Sequence, residues 1–430
     1  MDRPKLPKLR KLERLRMRRG DEDLLVLRDP LELCEPFAID VEFEAVLDAL
    51  DGQRSVAQVR QSLLMRGLAS VELDDLEQFV EQLGAAGLLD DDRFRERWSE
   101  AHDSFVEEEI RAARRAGLLY PDQPDALRAW LAPALPRSGS LSGSLSGSAR
   151  GPMIAAEQPS RRWLEPPIAI VAPHQPPPAL AASFRRLLRT LPEPEQYEHV
   201  VILATDHSPG LLPYAACDKD IATPLGPLAA DLALLAKLDE RIPWLLREQI
   251  RLRTCDPVEW AALTLRAIWG DRCPPILPIA CGQTRLTTHD GRERAREFVD
   301  TLRALLLEQS QARRVLWWTV AELSHVGPAY GHADLPAPEQ VERDDRSMLE
   351  SLIENRPDAL AQALMNAPAN RRPSGTAALV TLAELLPENY RATLLGYDLL
   401  PAPGDSPGWI GCPMAIIGPP MAIIDPPQPI

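Results

Sequence analysis

Apolar and polar positions divide the chain into two regimes. In FAIDVEFEAVLDALDG (37–52), VAQVRQSLLMRG (56–67) and LDDLEQFVEQLGAAGLLD (73–90) apolar residues recur three to four apart, and each run stops at a glycine, Gly52, Gly67 or Gly87. That spacing lays one apolar stripe along a helix, and glycine ends helices because it enters the left-handed conformation without penalty. With the extended stretch LLVLRDP (24–30) in front, the pattern predicts a three-helix unit over 22–98.

From residue 168 the pattern changes. Continuous apolar runs, IAIVA (168–172), HVVILATD (199–206), PILPIA (275–280), RVLWWTVA (314–321) and TLLGYD (393–398), alternate with helical periodicity near 179–190, 229–238, 291–308, 339–365 and 375–386. Strands apolar on both faces belong to a sheet covered by helices on both sides, so the predicted class is α/β with a mostly parallel or mixed sheet. Trp317 and Trp318 read as core aromatics. Ligands of such sheets gather at the carboxyl ends of strands, which is where chemistry is to be sought.

Composition refines this picture in a few places. The chain has 430 residues, enough for two or three domains, and 43 are proline, about twice the usual share, which must collect in loops and linkers. SGSLSGSLSGS (138–148) is a Gly/Ser linker with nothing to bury, and residues 137–151 are expected as a disordered insert. The last thirty residues, 401–430, read as a proline-rich tail that repeats PMAII at a period of seven, either a plain extension or a segment that docks on this chain or a partner. The N-terminal arm, 1–21, is basic and reads as a solvated end, the alternative being a segment that touches an anionic surface or the acidic body of this protein.

The net charge of −15 argues against nucleic acid as a partner, since phosphate binding needs an excess of Lys and Arg. The acidic residues at 72–81 and 90–92 repeat that argument for the helical unit. No secretory h-region and no apolar run of membrane-spanning length occurs, and six Cys without a CxxC pair suggest reduced thiols. The expectation is a cytoplasmic protein with no membrane partner. GxSxG, P-loop and GxGxxG motifs are absent from the sequence, which removes the geometry of serine hydrolases, NTPases and dinucleotide binders.

The candidate chemistry is histidine. His174 follows IAIVAP, His207 follows VVILATD and His325 follows VLWWTVAELS, three of the seven His in the chain. If those strands are neighbours, the imidazoles converge on one rim. There they could ligate zinc, copper or iron or carry protons; otherwise they are three unrelated loop residues. Asp206, beside His207, could supply a carboxylate or cap a turn.

Two resemblances sharpen the reading. The helical unit, with LDG closing its first helix, Ser55 heading the second and GLLD after the third, resembles the PqqD-like winged-helix family over about seventy residues. That resemblance implies docking of a peptide or protein partner; a unit that only packs on its neighbour is the alternative. AGLLYP (116–121), VAPH (171–174), VILATDHSP (201–209), TPLGPLAAD (223–231), PILPIACGQ (275–283), SHVG (324–327) and RRPSG (371–375) occur in the order of the motifs of the Memo family, whose bacterial members are called AmmeMemoRadiSam system protein B. The resemblance implies a Memo-like α/β domain over 110–400, related to class III extradiol dioxygenases.

Carried over by position, His174 and His207 match metal-ligand histidines and His325 matches a further active-site histidine. The family's third ligand, a Cys, falls at about Ala369, so no thiolate stands there. Trp244, Leu245 and Leu246 replace the family's EHS stretch, Glu248 is the nearest match to its second acid, TVA (319–321) replaces SSD, and PHQP replaces PHAG. The resulting expectation is a Memo-like accessory or adaptor protein with a degenerate metal site, serving peptide modification or a radical-SAM-associated system. The alternative is a non-haem metal-dependent oxidoreductase in which His174 and His207 hold iron, copper or zinc and His325 transfers protons.

Overall fold

The structure is a computed structural model that describes residues 4–20, 22–67, 72–136, 165–306, 315–368, 371, 373–404 and 406–419. The predicted insert at 137–151, position Ala369 and the second PMAII copy lie outside the described residues.

Four parallel strands form the centre of the molecule. Ala169–Ala172, Val315–Val320, His199–Thr205 and Ile276–Cys281 lie side by side in that order. Tyr214–Ala216 closes one side antiparallel to Ile276–Cys281. On the other side Trp409–Gly418 runs antiparallel to Ala169–Ala172, and Arg391–Pro401 pairs along its length as the outer strand.

Side chains of successive residues in a strand point to opposite faces, so each central strand feeds two cores. Val171, Val201, Leu203, Leu277 and Trp317 pack on one face with the helices His289–Leu306, Pro338–Ile353 and Thr376–Leu385. Ile170, Val200, Ile202, Leu316 and Trp318 pack on the other with Ala181–Leu188 and Asp256–Trp269. The mixed α/β class therefore stands, and the two tryptophans are core residues of opposite faces. Asp256–Trp269 has no counterpart among the predicted helices. It is buried on almost every side, so it carries no one-sided stripe to detect.

Residues 401–430 are not wholly a tail. Trp409–Gly418 is an inner strand of the sheet, and Met414, Ala415, Ile416 and Ile417, four of the five residues of the first PMAII copy, are buried in the two cores. Pro413 is tolerated because Gly411 already directs its backbone groups toward Leu323 and Ser324, and alternation aims the proline nitrogen at that same edge. There the pairing with His325–Val326 has ended and the pairing with Ala169–Ala172 has not begun.

The N-terminal region has its own core, in which Leu25, Leu27, Ile39, Leu47, Val59, Leu63, Leu76 and Leu83 are buried together. Helices Glu44–Ala49, Val56–Met65 and Leu73–Ala85 fall inside the three predicted runs. Ser55 and Gln58 close the second by a reciprocal capping box, and Gly87, at φ +79°, follows the third. Two expectations are corrected here. The run starting at 37 begins as a strand, Phe37–Asp40, and the basic arm is not a loose end. Glu13–Arg19 pairs with Glu22–Arg28, which pairs with Phe37–Asp40, and Arg14 and Arg16 are held by Glu44 and Asp48. The charges on this arm are solvated on one side and matched by acidic neighbours on the other.

Candidate functional site

Three adjacent parallel strands deliver one polar residue each, two positions beyond their ends. His174 follows Ala169–Ala172, Glu322 follows Val315–Val320 and His207 follows His199–Thr205. Because the Val315–Val320 strand lies in the middle, Glu322 leaves the sheet from the strand between those that carry the two histidines. His174 Nε2 is 3.4 Å from His207 Nε2 and 3.3 Å from Glu322 Oε2, and His325 Nε2 is 3.3 Å from the same oxygen. The three predicted histidines are thus gathered at one rim.

The electrostatics follow from burial. Glu322 is completely buried; desolvation works to raise its pKa, but the fields of His174 and His325 and a 2.9 Å hydrogen bond donated by Gln175 Nε2 to Oε1 lower it below the ordinary carboxylate value. Oε2 has no hydrogen-bond partner of its own, and neither has His174 Nδ1. Desolvation lowers the pKa of His174 against the pull of Glu322. His207 is exposed at the rim, yet the protein gathered around its ring together with His174 pushes its pKa down to about 4. Both imidazoles are therefore held neutral, the form that ligates metals, beside an anionic carboxylate.

A second set of groups fixes the turn from Glu322 to His325. Backbone N–H groups of His325, Ser374 and Gly375 bond to Arg371, Leu323 and Glu322 carbonyls, so Arg371, Ser374 and Gly375 brace the turn. Buried Asp345 accepts from Ser324 Oγ at 2.5 Å and from Tyr397 OH at 2.7 Å. His325 Nδ1 donates to Leu323 O at 3.0 Å, and the Tyr330 ring stands edge-on to the imidazole with centroids 5.1 Å apart. Cys412 is buried, and desolvation with the field of Glu322 raises its thiol pKa well above the usual value.

The other acidic candidates have structural work. Asp206 accepts from Ser208 N at 2.8 Å and from Arg251 Nε at 2.7 Å, which is the turn-capping alternative with a buried ion pair added. Glu248 accepts from Leu211 N, Leu212 N and Arg251 Nη1. Glu322 was not among the sequence candidates, although it directly follows TVA (319–321) and sits at the same offset from its strand as the histidines. Among the described residues, no three His, Cys, Asp or Glu side chains already stand in metal-holding geometry.

The sheet and its strand-end cluster define a mixed α/β protein with a histidine–carboxylate site at the carboxyl edge. The chain belongs to the Memo-like protein family, which it matches over residues 111–399. It is 21% identical over 393 residues to a MEMO1 family protein of Aquifex aeolicus, covering 89% of this chain and 94% of the relative, an extent that reaches into the N-terminal region. A MEMO1 family protein of Thermus thermophilus is 25% identical over 337 residues, covering 78% and 90%. Among solved structures, an uncharacterised protein of Escherichia coli K12 superposes with a TM-score of 0.35 at 12% identity, over 58% of this chain and 98% of that one. No helix among the described residues is long and apolar enough to cross a membrane.

Proposed function

We propose that the strand-end cluster is a centre for a divalent transition-metal ion, with His174, His207 and Glu322 as its protein ligands and His325 as the adjoining acid–base group. The observation that carries this reading is the orphaned oxygen of Glu322. A buried anionic oxygen with no contact in hydrogen-bond geometry is costly; it lies 3.3 Å from both His174 Nε2 and His325 Nε2, and His174 Nε2 is 3.4 Å from His207 Nε2. Two nitrogens bound at ~2.1 Å to one tetrahedral or octahedral ion stand roughly 3.0–3.4 Å apart, so the histidine pair fits a shared ion. Two histidines with one carboxylate and open positions is the donor set of non-haem iron oxygenases, and the chemistry such an ion supplies is oxidoreductase chemistry. The chain's own residues would orient the ligands through Gln175 and Ser324 and move protons at His325 Nε2.

A second reading, a Memo-like accessory or adaptor protein that docks a peptide or protein partner through its N-terminal unit, is favoured by the absence of a finished ligand triad among the described residues. Elemental analysis of the purified protein decides between them, run beside His174→Ala/His207→Ala and Glu322→Gln chains. Near-stoichiometric iron, copper or zinc that is lost in the double variant and at least ~10-fold weaker in Glu322→Gln supports the metal centre. Metal-free protein after reconstitution, or metal content indifferent to all three side chains, transfers the case to the adaptor, whose partner binding must then vanish on deletion of residues 1–98.

A further inference from the structure

The N-terminal unit is docked beside the strand-end crevice. Its first long strand, Glu13–Arg19, packs against the turn Pro328–Tyr330, which carries the ring facing His325. Glu13, paired with Arg28 at 2.8 Å, also contributes to the field on His207. The loop between the strands Glu22–Arg28 and Phe37–Asp40 adds polar bonds across the junction. Pro30 O accepts from Thr254 Oγ1 at 2.8 Å, Leu31 O accepts from Arg253 Nη1 at 3.2 Å, and Glu32 pairs with Arg114 at 2.6 Å and Arg115 at 2.7 Å.

Glu32 is set up for this contact at a cost. It is one of three non-glycine residues with positive φ among the described residues, at +50°, a conformation that a residue with a Cβ adopts at some expense. The loop is forced there from within, because buried Asp29 accepts from the N–H groups of Leu31 and Leu33 and pairs with Arg10. A strained residue whose side chain reaches two arginines of another unit is the mark of a position fixed for a purpose. An interface held by a few ion pairs, between parts that each have a core, is also one that opens more readily than a hydrophobic seam.

We infer that Glu32 is a latch: its ion pairs with Arg114 and Arg115 hold the N-terminal unit closed over one wall of the His174–Glu322–His325 crevice, and their release widens access to it. The inference rests on that crevice being the working site of the protein, but it requires no metal.

The test is the rate at which diethyl pyrocarbonate modifies each histidine of the full chain, mapped by mass spectrometry. His174 and His325 keep 13% and 15% of their side chains exposed and are the reporters; His289, at 80%, is the internal control. Glu32→Gln and Arg114→Met are each expected to raise the rates at His174 and His325 on the order of tenfold, the effect of shifting a two-state closure by one decade, with His289 unchanged. Raising salt to ~0.5 M should move wild type in the same direction by screening the pairs. Unchanged reporter rates in variants with native circular dichroism would overturn the latch, as would a rise shared by His289. A chain that takes up no metal leaves this readout intact, so the two readings fail separately.

Discussion

Burial sets the protonation of the strand-end cluster, and the sign of its effect on stability can be worked out for each group. His207 has a folded-state pKa of about 4 against an ordinary 6.5, and His174 is shifted in the same direction. Between those values the unfolded chain binds more protons than the folded one, so stability falls as the pH drops from 6.5 toward 4 and the histidine contribution levels off below. Glu322, depressed below its ordinary 4.5, adds stability that is present above that value and lost as the pH falls through its lower folded pKa. Thermal unfolding should therefore show a falling Tm on acidification through pH 6.5–4, and a His174→Asn/His207→Asn chain should show a flatter profile over that window. Parallel profiles for the two chains would mean that the imidazoles are not held neutral by the fold. The histidines of this cluster were legible in the sequence because each ends an apolar run. Glu322 was not, because carboxylates are common in this chain where histidines are scarce.

Among the elements, the parallel strands and most helices of the sheet were readable from period and apolar run length, while Asp256–Trp269 was hidden by burial on almost every side and Trp409–Gly418 by its composition. Its prolines and its repetition resemble an extension, and only the pairing partners show why proline fits. The strand also bears on the site. Gly411 N–H bonds to Ser324 O and Gly411 O accepts from Leu323 N–H, so the strand holds both ends of the dipeptide between Glu322 and His325. A side chain at 411 would run into the Asp345 carboxylate and the Tyr397 hydroxyl, which is why glycine stands there. Ending the chain after Pro419 removes nothing that the described sheet uses, whereas ending it after Ala402 removes an inner strand and leaves Arg391–Pro401 without its partner. The first truncation is expected to keep the circular dichroism and Tm of the full chain, and the second to yield insoluble or unfolded protein. A soluble, cooperatively melting chain that ends at 402 would return the segment to the status of a tail.

At the scale of the whole molecule, the decisive contrast is between two apolar cores shared across one sheet and a third core that belongs to the N-terminal unit alone. The sequence separated these parts by a change of hydrophobic period, but the manner of their joining was beyond it, since Glu32, Arg114 and Arg115 are ordinary surface types until the fold brings them together. The bonds that Pro30, Leu31 and Glu32 make across that junction are hydrogen bonds and ion pairs, which add little cooperativity because water and salt compete for the same groups. Each part should consequently unfold as its own unit. Calorimetry of the full chain is expected to resolve two transitions. The smaller belongs to the N-terminal unit and is absent from a chain lacking residues 1–98; Glu32→Gln should lower its Tm while leaving the main transition, set by the shared sheet, in place. A single transition with equal calorimetric and van't Hoff enthalpies would show instead that the junction couples the parts as strongly as a core does, and the N-terminal unit would then be a fixed wall of the crevice rather than a movable one.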